Sequence, residues 1–150
     1  MFKVNEGLAT EEEAKAFYEA METGDGKALR RLVEKNPKLL KWETGQASLL
    51  HLAAQSYPVA TVKYFLSVGF NVNGNPSAEE SSPLFCATAR GNRIEREEMV
   101  RFLVENGADV NADAGKWMTA LHLAAREDLP ELIHYLMDHE IGRASCRERV

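Results

Sequence analysis

The chain has 150 residues, 45% of them hydrophobic and 27% charged, with a formal net charge of −5; this is the composition of one soluble globular domain and is too short for two. Neither a signal-peptide run nor a window of roughly 18 apolar residues occurs, so a cytosolic address away from membranes is expected. Two cysteines, Cys86 and Cys146, exclude a disulfide framework and a thiolate metal site, and the negative charge argues against a nucleic-acid surface.

Thr10 followed by Glu11, Glu12 and Glu13 has the spacing of a capping box, which predicts a helix over 11–22. Ala14, Phe17, Tyr18 and Met21 recur at steps of three and four and form its apolar stripe. Gly24 stops it, and Asp25 caps a second helix over 26–34 with Ala28, Leu29, Leu32 and Val33 inward, closed by Asn36 and Pro37. Two short helices on a tight turn make a hairpin. The stretch 39–47 lacks a stripe and holds Gly45, so it is expected as a loop. Ser48 then caps a helix carrying Leu49, Leu50, Leu52, Ala53 and Ala54, and Pro58 opens a partner over 59–68 with Val62, Phe65 and Leu66 inward, ended by Gly69.

The pattern then returns. Residues 70–82, FNVNGNPSAEESS, are rich in turn formers. Helices are predicted over 83–90 and 97–105, the second with Met99, Val100, Leu103 and Val104 inward, with residues 91–96 as an insertion between them. Thr119 caps the next helix, and 131–139 supplies its mate with Leu132, Ile133, Leu136 and Met137 on the apolar face.

The recurrence is literal as well as periodic. SLLHLAA at 48–54 reappears as TALHLAA at 119–125 and, in worn form, as SPLFCAT at 82–88, with steps of 34 and 37 residues. Between these copies stand GFNVN at 69–73 and GADVNA at 107–112. On these motifs the chain resembles the ankyrin-repeat family, with four units at about 11–42, 43–75, 76–112 and 113–140 after a lead of 1–10. The resemblance implies an all-α solenoid of stacked helix-turn-helix units with β-hairpin loops, in which a lone unit cannot bury both sides of its helix pair. Two departures stand out: Phe85 replaces the motif histidine of unit three, and Trp117 stands where a loop glycine is frequent.

Catalytic chemistry is sparse in this pattern. His51 and His122 recur with the period, so they are assigned with Ser48, Ser82 and Thr119 to architecture rather than to a reaction. His134 and His139 lie five apart and do not share a helix face as metal ligands would. Cys86 has no His or carboxylate at motif spacing, and packing is the expected role. No catalytic residue, cofactor or metal is assigned. In the family that it resembles, binding falls on loop tips and the inner helix surface. By register this gives Trp42, Gln46, Gln55, Ser56, Tyr57, Glu79, Glu80, Arg90, Lys116, Trp117, Met118, Arg126 and Glu127 as partner contacts, with the two tryptophans foremost.

The expectation is therefore a non-catalytic protein-binding module whose partner is another protein with a basic patch, and not a nucleic acid or membrane. The alternatives are the N-terminal regulatory or targeting arm of a longer enzyme, and a small inhibitor of immunity type. Residues 141–150, IGRASCRERV, back-translate to a sequence resembling a sequencing adapter, so they are expected to be an artefactual tail, with the natural chain continuing past 140. Arg143, Arg147 and Arg149 against Glu148 give that tail +2, which leaves −7 on the rest. The last unit then presents apolar residues outward, and fraying or association is expected there.

Overall fold

The computed structural model describes residues 9–41, 49–74, 81–112 and 118–147. Helix α1 (Glu11–Thr23) starts on the expected box: Glu13 N–H donates to Thr10 Oγ1 at 3.2 Å, and Thr10 N–H donates to Glu13 Oε2 at 3.3 Å. It stops at Gly24, whose φ of 68° turns the Gly24 and Asp25 N–H groups back onto the Met21 and Ala20 carbonyls at 3.2 and 3.0 Å. Acceptors that a helix end leaves open are thereby filled. Asp25 Oδ1 accepts from Lys27 and Ala28 N–H, opening α2 (Gly26–Lys35), and a 3₁₀ turn (Pro37–Lys41) follows.

The same logic gives α3 (Leu49–Ser56) and α4 (Val59–Ser67), α5 (Pro83–Thr88) and α6 (Arg93–Glu105), and α7 (Ala120–Arg126) and α8 (Pro130–Arg147). Two boundaries differ from the sequence expectation. The predicted insertion over 91–96 is mostly helix, because Asn92 Oδ1 accepts from Ile94 and Glu95 N–H and so starts α6 early. Helix α8 runs on to Arg147 instead of ending at His139.

Each pair forms a hairpin, and the hairpins stack. The first helices α3, α5 and α7 pack in one layer, with α2, α4 and α6 in the other. Close approach in the first layer is possible because Ala53, Ala87 and Ala124 are small, and each is 0% exposed. The core runs continuously through Phe17, Met21, Leu50, Phe65, Leu84, Met99, Leu103 and Leu136, all buried. Full burial of such a side chain stabilises by about 1.5–3 kcal/mol. Units one and two also share a ring contact, Phe17 to Phe65 at 6.4 Å, and a buried hydrogen bond from Thr61 Oγ1 to the Met21 carbonyl at 2.6 Å.

Of the expected inward residues, Tyr18, Ala28, Leu32, Val33, Leu66 and Ile133 are only partly buried, and Met137 is 44% exposed. For the last unit the motif positions show why. Leu50 is 0% and His51 4% exposed, beneath unit three, while their equivalents Leu121 and His122 are half-buried and exposed. Ala54 and Ala125 differ in the same way. A residue on the face turned to the next unit is buried only where that unit is stacked on it.

The connecting turns repeat too. Asn71 Oδ1 accepts from Asn73 N–H, and Asp109 Oδ1 from Asn111 N–H, both at 3.0 Å. Asp109 N–H also donates to Asn73 Oδ1 at 2.7 Å, joining neighbouring turns. No strand occurs among the described residues, and the hairpin loops that the family resemblance implied fall largely at 42–48, 75–80 and 113–117, outside them.

Candidate functional site

Register places Gln55, Ala89 and Arg126 at equivalent positions at the ends of α3, α5 and α7, and all three are exposed. They follow the buried alanines of the motif along each helix, so an invariant packing seam carries a row of chemically unlike side chains. Ser56 and Glu127 are exposed beside them, and Met118 is half-buried. Arg126 Nη1 lies 4.0 Å from the Met118 Sδ, and its Nη2 is 3.4 Å from Glu127 Oε1. An ion pair this exposed adds little stability, which leaves both charges free to engage a partner.

Two residues expected on this surface are elsewhere. Arg90 is 6% exposed: Nη1 donates to the Ala54 and Tyr57 carbonyls at 3.0 and 2.9 Å, and Nη2 pairs with Glu95 at 2.9 Å. Its own carbonyl accepts from Arg96 Nε at 2.6 Å and from Arg96 Nη2. A guanidinium with five donors can fill several acceptors at once, so Arg90 braces the end of α3 against unit three. Tyr57 is 8% exposed, and burial pushes its phenol above the ordinary range, helped by the Tyr18 and Glu22 charges. Both side chains belong to the packing between units.

His51 is buried, at 4% exposure, in α3. Its ring is packed so closely against Gly74 that a methyl there would lie 2.8 Å from Cε1, and Gly74 adopts a φ of +74°. Ser82 Oγ caps α5 by accepting from Phe85 N–H, with Pro83 in the first turn. Thr119 caps α7, and His122 completes that box by accepting from Thr119 N–H through Nδ1 at 3.2 Å. Ser48, Trp42, Gln46, Glu79, Glu80, Lys116 and Trp117 lie outside the described residues. His134 and His139 face the Pro130 and Tyr135 carbonyls at 2.7 and 2.8 Å, and Cys86 is half-buried. Among the described residues, no group of three His, Cys, Asp or Glu could hold a metal ion, and no helix is long and apolar enough to cross a membrane.

A family model described as ankyrin repeats, three copies, matches residues 16–114 and again 50–146. The chain belongs to the ankyrin-repeat family. Among curated proteins no match is found. Ankyrin repeats are in general protein-interaction modules, and here the exposed row on the first-helix layer is the surface that the stack builds without consuming.

The ankyrin scaffold also contains braces that periodicity did not reveal. Arg93 bridges α6 to α8 through Glu131 at 2.9 Å while holding Glu97 at 3.1 Å, and the Arg101 guanidinium sits 4.4 Å over the Tyr135 ring. The carboxyl of Glu131 is held below its ordinary range, first by its backbone N–H and then by Arg93. The two contacts to α8, Arg93 with Glu131 and Arg101 with Tyr135, join residues 38 and 34 apart, close to one repeat length. The spacing alone could have flagged them as pairs in neighbouring ankyrin units.

Proposed function

We infer that this chain is a non-catalytic binding module that holds another protein against the concave, first-helix side of its repeats, through Gln55, Arg126, Glu127 and the loop positions Trp42, Gln46, Glu79, Glu80, Lys116 and Trp117. One observation carries this: equivalent exposed positions 55, 89 and 126 hold Gln, Ala and Arg, whereas the equivalent buried positions 53, 87 and 124 are all Ala. A constant seam with a variable rim is what recognition on a fixed scaffold requires. The net charge of −5 favours a partner with a basic patch, met in the cytosol.

A photo-crosslinking residue at position 55 or 126 tests this. Crosslinks to one protein from both positions, absent from a control at Glu105 on the outer layer, are expected. Crosslinks from the control alone would contradict it. If the interaction ignores ionic strength, the basic patch is also wrong.

A further inference from the structure

The outer layer carries a second surface of opposite sign. Residues 26–41 hold six Lys and Arg against a single carboxylate, Glu34, within a chain of net charge −5. Between α2 and α4 lies an open groove of about 950 Å³, bordered by Lys27, Arg30 and Arg31 on one side and Lys63 on the other. Ala60 and Tyr64 line it between those rims, and Tyr64 is only 6% exposed, so the floor is firmly packed. The Gly24 turn meets α4 here so closely that a methyl on it would lie 3.0 Å from Ala60 Cβ.

Several cations elsewhere have internal partners. Lys35 holds Glu13, Arg90 holds Glu95, Arg93 holds Glu97 and Glu131, Arg101 covers Tyr135, and Arg126 holds Glu127. The four around the groove form no ion pair among the described residues. Asp25 also lines the groove, but its Oδ1 is turned to the Lys27 and Ala28 N–H groups. Four like charges gathered around one trough repel each other, and a ligand bearing carboxylates relieves that repulsion.

We propose that this groove binds an acidic segment of a protein partner, its carboxylates paired with Lys27, Arg30, Arg31 and Lys63 and one apolar side chain laid over Ala60 and Tyr64. Helix α2 has ten residues, so the trough is about 15 Å long, the reach of a short segment. Glu34 at its edge and the acidic remainder of the chain disfavour a uniformly charged polyanion. The groove lies on the second-helix layer, so its occupancy is independent of partner binding at Gln55 and Arg126.

The test is fluorescence anisotropy with a labelled peptide rich in Asp and Glu around one central leucine. Arg30→Glu is expected to weaken binding about tenfold, and Lys38→Glu, an equal charge change outside the groove, less than about twofold. Arg30→Gln should fall between them, and Arg126→Ala should leave binding unchanged. Circular dichroism confirms folding of each variant. Equal losses from Arg30→Glu and Lys38→Glu would reduce the effect to long-range attraction and overturn the proposal. So would loss on Arg126→Ala, tighter binding of single-stranded DNA or heparin than of the peptide, or self-association in sedimentation that Arg30→Glu abolishes.

Discussion

The Arg90 guanidinium donates to the Tyr57 carbonyl at 2.9 Å, tying the end of one repeat's first helix to the start of the next repeat's second helix. The Ala54 carbonyl is held by the same nitrogen. Arg90→Ala would leave both acceptors buried without this donor, and a loss of about 2–3 kcal/mol is expected in urea unfolding. Arg90→Lys should recover only part, because a point ammonium cannot span the guanidinium's fork. A variant as stable as the parent would show that water replaces the arginine there.

Leu50 and Leu121 occupy the same motif position but differ in burial, so their truncations should differ. Leu50→Ala is expected to cost about 2–5 kcal/mol, and Leu121→Ala clearly less. Denaturant midpoints decide it, and equal shifts would mean that the last repeat is covered in solution.

Gly24 and Asp128 both end first helices in left-handed backbone, at φ of 68° and 54°. Gly24→Ala should cost about 1–3 kcal/mol, from the conformation and from the contact with Ala60. Pairing it with Ala60→Gly removes only the contact. Asp128→Gly should instead stabilise by about 0.5–1 kcal/mol, since glycine takes this conformation without steric cost. A fall in melting temperature for Asp128→Gly would rule this out.

Glu13 supplies the acid limb of a pH profile. Its carboxylate accepts from Asn36 Nδ2 at 3.1 Å, from Thr10 N–H at 3.3 Å and from Lys35 Nζ at 3.3 Å, and these hold it below the ordinary range, Asn36 most strongly. A lowered folded-state value means the contribution is complete above the ordinary glutamate value of about 4.3 and is lost as pH falls through the lowered one. Glu13→Gln should flatten that loss. Tyr57 and Tyr64 act at the other end: burial raises both phenols, so the folded chain should lose stability as pH rises above about 10. Midpoints recorded across both limits check each sign.

Hydrogen exchange should be faster in the last repeat than in the second. Leu121, Ala125 and Met137 are incompletely covered there, and sub-global opening follows low burial. Amides of α7 exchanging as slowly as those of α3 would contradict this.

The repeated heptapeptide, the capping residues Thr10, Asp25 and Thr119, and the glycine stops make the stack legible in the sequence. Asn92 falls in the stretch that the repeat spacing assigns to an insertion, although its side chain caps α6 as Asp25 caps α2. Partner contacts were less legible. Register locates a position along a helix but not the burial of its side chain, so it groups Arg90 with Arg126 although one is enclosed and the other open. Unlike Arg126, Arg90 reaches back to the preceding repeat, where the helix-end carbonyls of Ala54 and Tyr57 draw the cation inward.

The buried alanines at 53, 87 and 124 also set a scale. Helices packed on small residues sit near the low end of the usual 8–10 Å spacing, so residues 55, 89 and 126 are presented at a nearly fixed pitch. A helix laid along that row advances about 10.5 Å in seven residues, whereas an extended strand returns to the same face after about 6.7 Å. On the proposed function the row would act as a ruler, selecting partners by the interval between their contact groups as much as by the chemistry of any one of them.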